Sequence, residues 1–212
     1  MEDFSALCRS HETYRSRLIY ETYKTGQVIH TPGDVIDRIG IVVSGILKAE
    51  DAAPGGAERC GAYFDQGDTF PEFLYFAGDK RYTYTLAAAR RTTVAWLPAP
   101  VFEEMLAGDP AMTYALMLHI SRRGLKNQML LDCLAYQTIR QRVAFWLVTM
   151  GELEGGGDIR LPGSQAIWAN TLRVSRPSLN QELGRMEKAG YFRRGPETLH
   201  IIDRAGLEAL LG

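Results

Sequence analysis

SQAIWANTLRVSRPSLNQELGRMEKAGY, residues Ser164 to Tyr191, carries two helix starts in close succession. Ser164 can accept a hydrogen bond from a free backbone N–H of the turn that begins Gln165-Ala166-Ile167-Trp168. Ser175 offers the same cap to a second helix, Arg176 to Lys188, in which Pro177 occupies the first turn, where its missing N–H costs nothing. At helical spacing Leu179, Leu183 and Met186 fall on one side, for Ile167, Trp168 and Leu172 of the first helix to cover. The other side collects Pro177, Gln181, Gly184, Arg185 and Lys188, with Ser178 at its edge and no acid. Short residues with amide and cationic donors suit base edges and phosphates. Taken alone, the same pattern also fits an ordinary helical hairpin with a solvated face.

The residues that follow narrow the choice. Gly190 to Ile202 holds two short apolar-containing runs around Gly195-Pro196, which predicts a β-hairpin. A hairpin directly behind such a helix forms a wing, and Arg193 and Arg194 near its start would neutralise phosphates beside a groove. A short helix from Arg204 to Leu211 closes the unit.

Composition agrees with two folded parts. The chain has 212 residues, 46% hydrophobic and 23% charged, enough for two cores. The start Met1-Glu2-Asp3-Phe4 lacks an apolar signal segment, and the longest apolar run, Ile39 to Leu47, is too short to span a bilayer. Cys8, Cys60 and Cys133 are scattered and odd in number, as expected of reduced thiols in a cytoplasmic protein. The net charge of −1 divides into −4 over residues 1–108, +1 over 109–136 and +2 over 137–212. This mild shift implies a selective binder of nucleic acid rather than a polycationic coat.

The first hundred residues have another rhythm. Gly26 to Asp34, Ile39 to Lys48, Ala62 to Asp68 and Tyr82 to Leu97 read as short strands punctuated by Gly26, Gly33, Gly45 and Gly67. They predict an antiparallel sandwich or barrel, with Ala53-Pro54-Gly55-Gly56 as a hairpin loop. No metal-ligand spacing, nucleophile elbow, phosphate loop or dinucleotide fingerprint occurs, so neither catalytic nor metal residues are assigned and the chain is not expected to be an enzyme.

Between the two parts runs a helical segment, roughly Pro110 to Tyr136. Ala111, Tyr114, Leu118, Leu125, Met129, Cys133 and Tyr136 form one stripe, with Arg122 inside it; Leu116, Ile120, Leu131 and Leu134 lie nearly opposite, with Asn127 on that side. A helix apolar on two faces needs two covers. The barrel is one, and the same helix of a second chain is the expected other. Arg122 and Gly124 speak against a strict coiled coil. The division is thus 1–108 barrel, 109–136 dimerisation helix and 137–212 winged helix-turn-helix, an α+β chain.

In order and spacing the chain resembles the bacterial transcription regulators typified by the catabolite activator protein and the fumarate–nitrate regulator, the Crp/Fnr family. The resemblance rests on Gly33-Asp34, Val43-Ser44-Gly45, Gln66-Gly67-Asp68 followed by Glu72, then Arg142-Val143-Ala144, Val174-Ser175-Arg176 and Leu183 to Gly190. It implies a cyclic-nucleotide-binding jelly roll that senses an effector, a homodimer on a palindromic operator of double-stranded DNA, and RNA polymerase as a further partner. It also implies contacts to DNA from Ser175, Arg176, Ser178, Gln181, Arg185, Lys188, Arg193 and Arg194.

The effector region departs from the family's nucleotide binders, which pair Gly with Glu and then Arg with Ser. Here Pro71 replaces the Gly, Glu72 and Arg81 match, and Tyr82 stands where the Ser would hold phosphate. Pro71 removes a donor from that loop and Tyr82 adds bulk, so an effector other than cyclic AMP is expected. The resemblance assigns Glu72, Arg81, Tyr82, Thr83, Asn127 and Gln128 to effector binding, although Glu72 and Arg81 also fit a structural pair. Tyr63, Tyr75, Tyr82 and Tyr84 suit a small aromatic or phenolic molecule; Tyr82 and Tyr84 fit ordinary strand positions equally. Three scattered cysteines do not supply an iron–sulfur cluster, and His11, His30, His119 and His200 show no haem-ligand pattern. A redox role for Cys133 has no supporting neighbour in sequence. Two other readings stay open: a cyclic-nucleotide-responsive regulator, and a ligand-binding module that acts through protein partners without DNA.

Overall fold

A computed structural model describes residues 4–52, 58–154, 158–161, 164–196 and 198–212. The chain forms two compact units that meet in sequence at Arg122 and Arg123. The predicted loop at Ala53-Pro54-Gly55-Gly56 lies outside the described residues.

The first unit begins with α1 (Phe4–Ser10) and a single 3-10 turn at Arg15–Arg17, followed by β1 (Ile19–Tyr23), β2 (Val28–His30), β3 (Arg38–Ser44), β4 (Leu47–Ala52), β5 (Glu58–Phe64) and β6 (Thr69–Phe70). Helix α2 (Glu72–Ala77) precedes β7 (Thr85–Ala88) and β8 (Thr92–Pro98), and α3 (Ala99–Gly108) leads into α4 (Pro110–Ala135). Two antiparallel four-stranded sheets, ordered β1-β8-β3-β6 and β2-β7-β4-β5, enclose one core. Ile39, Ile41 and Trp96 enter it from one sheet, Leu47, Phe64 and Leu86 from the other.

The run Ile39 to Lys48, expected as one strand, is two. Gly45 breaks it at φ +91°, where a Cβ would come within 2.3 Å of the Arg91 carbonyl. The buried Thr92 hydroxyl closes the same corner, accepting from Ile46 N at 2.9 Å. Tyr82 to Leu97 also differs: regular pairing starts only at Thr85, and Tyr82 and Tyr84 precede it.

Asp109 starts α4. Its Oδ1 accepts from Ala111 N at 2.8 Å, and Pro110 opens the first turn. The burial of α4 follows neither expected stripe. Met112, in neither group, is buried with Leu116 against the barrel, whereas Tyr114, Met117, Leu125 and Leu131 are exposed. The polar and small residues at 119, 121, 123 and 124 interrupt both stripes, so each end of the helix buries a different face: Met112 and Leu116 in the first unit, Cys133 in the second.

The second unit continues from α4 into α5 (Ile139–Glu154), β9 (Asp158–Arg160), α6 (Gln165–Thr171), α7 (Arg176–Lys188), β10 (Phe192–Arg194), β11 (Thr198–Ile201) and α8 (Arg204–Ala209). Its core joins Val143, Ala144 and Leu147 of α5 to Trp168, Leu172, Leu179, Leu183, Met186, Phe192 and Leu199. Among the described residues no helix is long and apolar enough to cross a membrane.

Candidate functional site

Both expected caps form. Ser164 Oγ accepts from Ile167 N at 3.3 Å and Ser175 Oγ from Ser178 N at 3.1 Å. Between the helices Arg173 adopts φ 54°, the left-handed conformation that reverses the chain, and Val174 N donates to Ala169 O at 2.9 Å. Leu179, Leu183 and Met186 are at most 1% exposed, so the opposite face of α7 is fixed outward. Pro177, Gln181, Arg185 and Lys188 are exposed there, Arg176 is exposed at the start of the helix, and Arg193 is exposed on β10. Ser178 also contributes its hydroxyl, 2.7 Å from that of Ser175.

The acids of α7 flank that face, beside the buried stripe. Glu182, 12% exposed at its side chain, accepts from Arg140 Nε at 2.6 Å and from Arg185 Nη1 at 3.3 Å. Arg194 is likewise engaged. Its backbone N–H donates to Glu187 Oε1 at 2.8 Å, its Nε to Oε2 at 2.6 Å, and its Nη1 to Asn180 Oδ1 at 3.2 Å. The bond from the Arg194 amide, then the guanidinium, holds the Glu187 carboxyl below the usual carboxylate range. The wing is part of a three-stranded sheet, β10-β11-β9, with Leu199 opposite Ile159. Strand β9, absent from the sequence reading, is only three residues long, too brief for alternation to mark it.

Arg142 ties three segments together. Nε donates to Tyr136 O just beyond α4 and Nη1 to Leu172 O at the end of α6, both at 2.8 Å. Its own carbonyl accepts from Cys133 Sγ at 3.3 Å, and burial pushes that thiol up to about 11, which keeps it protonated at neutral pH.

In the first unit Glu72 is the first residue of α2 and 2% exposed. Arg81 is exposed, donating from Nη1 to Gly33 O at 2.7 Å, and Thr83 is exposed beside it. Tyr82, 2% exposed, is stacked on His30 at 4.3 Å between ring centroids and 12° between planes. Tyr84 meets Tyr82 edge-on at 5.8 Å, and Trp96 meets His30 the same way at 5.8 Å. Burial pushes the Tyr82 hydroxyl up and, with Arg38 nearby, the His30 imidazole down, the latter opposed by Asp34 at 3.5 Å. Tyr82 Oη and His30 Nε2 are buried without a hydrogen-bond partner among the described residues. Of the four tyrosines expected to cluster, Tyr82 and Tyr84 do. Tyr75 instead donates to Glu103 at 2.7 Å, and Tyr63 is half-buried on β5. Asn127 and Gln128 are exposed on α4 in the second unit.

Comparison with known proteins places these parts. The profile of the cyclic nucleotide-binding domain matches residues 20–109 and that of the Crp-like helix-turn-helix domain residues 141–210. The chain is 24% identical over 196 residues to the transcriptional activator protein FnrA of Stutzerimonas stutzeri, an alignment covering 89% of this chain and 79% of the relative. It is 25% identical over 188 residues to the cyclic AMP receptor protein of Thermus thermophilus, covering 89% and 86%. Its fold is shared with a CooA mutant from Carboxydothermus hydrogenoformans at TM-score 0.79, with 18% identity and 100% and 96% coverage. The same holds for FixK2 from Bradyrhizobium japonicum at TM-score 0.70, again with 18% identity and with 92% and 98% coverage.

Proposed function

Since the chain belongs to the Crp/Fnr family of DNA-binding transcription regulators, we propose that it works as a homodimer that lays α7 of each protomer in successive major grooves of a palindromic operator. The carrying observation is the doubly capped α6–α7 pair, which buries Leu179, Leu183 and Met186 and turns Gln181 outward beside a basic wing. Gln181 contacts a base edge; Arg176, Lys188 and Arg193 contact phosphates; Arg185 does so while sharing Glu182 with Arg140. In this reading 1–108 senses, 109–136 dimerises and 137–212 binds DNA in the cytoplasm, with RNA polymerase as the downstream partner.

The exposed residues of α4 support dimerisation. Tyr114, Met117, Ser121, Gly124, Gln128 and Leu131 recur at alternating steps of three and four, a heptad seam, and a Cβ at Gly124 would meet nothing within 4 Å. A second copy of α4 fits this seam, with Gly124 admitting close approach.

The effector is a small molecule other than cyclic AMP. Tyr82 is buried in a stack on His30, and Arg81 is already engaged with Gly33 O, so the cyclic phosphate lacks the hydroxyl and the free guanidinium that would hold it. The buried Tyr82 Oη and His30 Nε2 fit an aromatic or phenolic ligand with hydrogen-bonding groups of its own. The decisive experiment selects bound sequences from a random duplex library with the full-length protein. A palindromic motif is expected, and Gln181→Ala should relax one position per half-site by about 1–3 kcal/mol. Recovery of no motif would refute DNA recognition.

A further inference from the structure

Arg194 leaves its own strand to lie along α7. The residues it touches, Glu187 and Asn180, flank Gly184 on one side of that helix, and a Cβ at Gly184 would come within 3.9 Å of Arg194 Nη2. The guanidinium therefore passes over the turn that glycine leaves open. A guanidinium has donors and no acceptor, so the Asn180 atom that faces it at 3.2 Å is the oxygen. The amide NH2 is turned the other way, and the side chain is exposed. The guanidinium is kept in this orientation by its Nε, which donates to Glu187 Oε2 at 2.6 Å, while the backbone N–H of Arg194 holds the same carboxylate through Oε1 at 2.8 Å.

We propose that Asn180 reads a base in the major groove as a donor only, and that Arg194, held by Glu187, is the positioning residue that sets this polarity. The proposal rests on the DNA-binding reading above and assigns a specificity determinant to it. A donor-only amide best matches guanine, which presents the acceptors O6 and N7 and no donor. It is opposed by the amino groups of adenine and cytosine. An asparagine free to rotate instead pairs with adenine through both of its polar atoms. The same side chain thus prefers different bases with and without Arg194.

The test uses full-length protein and a random duplex library, with Asn180→Ala, Arg194→Met and Arg194→Lys beside wild type. Wild type is expected to select guanine at one position of each half-site. Asn180→Ala should erase that preference alone, with about a tenfold loss on the selected sequence. Arg194→Met should move the same position towards adenine and leave the others in place. Arg194→Lys should do likewise, because a single ammonium cannot fork between Glu187 and Asn180. The slope of log affinity against log salt should be unchanged in Arg194→Met. An unchanged profile in Asn180→Ala would overturn the proposal. So would uniform weakening by Arg194→Met with a salt slope reduced by about one, since that marks a phosphate contact. Absence of any motif with wild type would remove the DNA-binding premise itself, an outcome distinct from both.

Discussion

Ser175 holds the recognition helix from its first turn, where one hydroxyl satisfies Ser178 N and meets the Ser178 hydroxyl. Ser175→Ala should cost about 1 kcal/mol of stability, measured by denaturant unfolding of the full chain, and should weaken DNA binding with no change of preferred sequence. His30 governs the barrel differently. Burial first, and Arg38 second, lower its proton affinity in the folded state, so its contribution to stability is complete above the unfolded value of about 6.5 and is lost as pH falls through the folded one. The thermal midpoint of the barrel should drop between pH 7.5 and pH 5 in wild type and drop less in His30→Phe, which keeps the stack on Tyr82. Equal drops in both would assign the effect to other groups. Residues such as Ser164, Ser175, Gln181 and Leu183 were legible because cap and period are local signals. Glu182, Glu187 and Asn180 were not, since their partners Arg140 and Arg194 come from other elements and no spacing predicts which acid meets which cation.

Among elements, α4 was read correctly in extent and incorrectly in face. Its two ends belong to different cores, so a single wheel drawn through its residues averages two burial patterns. Helix α5 escaped for a related reason: Val143, Ala144 and Leu147 are buried, but Phe145, Trp146, Val148 and Met150 are partly buried around them, leaving little amphipathic contrast. The exposed seam of α4 makes a sharp prediction. Met117→Lys, at a position 62% exposed in the single chain, should convert the dimer to monomer in sedimentation velocity while leaving the circular dichroism of the fold intact. A dimer that survives this change would move the interface away from α4. Arg142 shows how elements are joined at their ends, since one guanidinium accounts for carbonyls beyond α4 and at the close of α6. Its pattern with Val143 and Ala144 was visible in sequence, though its two acceptors were not.

At the level of the whole molecule, the distribution of charge predicts a modest affinity for arbitrary DNA. The excess over residues 137–212 is only +2, and Glu182 and Glu187 already occupy Arg140, Arg185 and Arg194. Binding to random duplex should therefore fade well before binding to the selected operator as salt is raised, and footprinting should reveal two protected patches about 34 Å apart on one side of the helix. A single patch would mean that one protomer binds alone. The order of the parts was legible in the sequence, because strands, long helix and winged pair each have their own period. The burial of Tyr82 against His30 was not, because bulk in a sequence does not say which ring it will stack on. The wing sheet has one more implication. Strand β11 is held on both sides, by β10 and by β9, whereas the tip between β10 and β11 closes on itself through Gly195 N and Thr198 O at 2.8 Å. Changes of length at that tip should therefore leave the domain beneath it folded, because the recognition helix takes its seat from Leu179, Leu183 and Met186 and not from the turn.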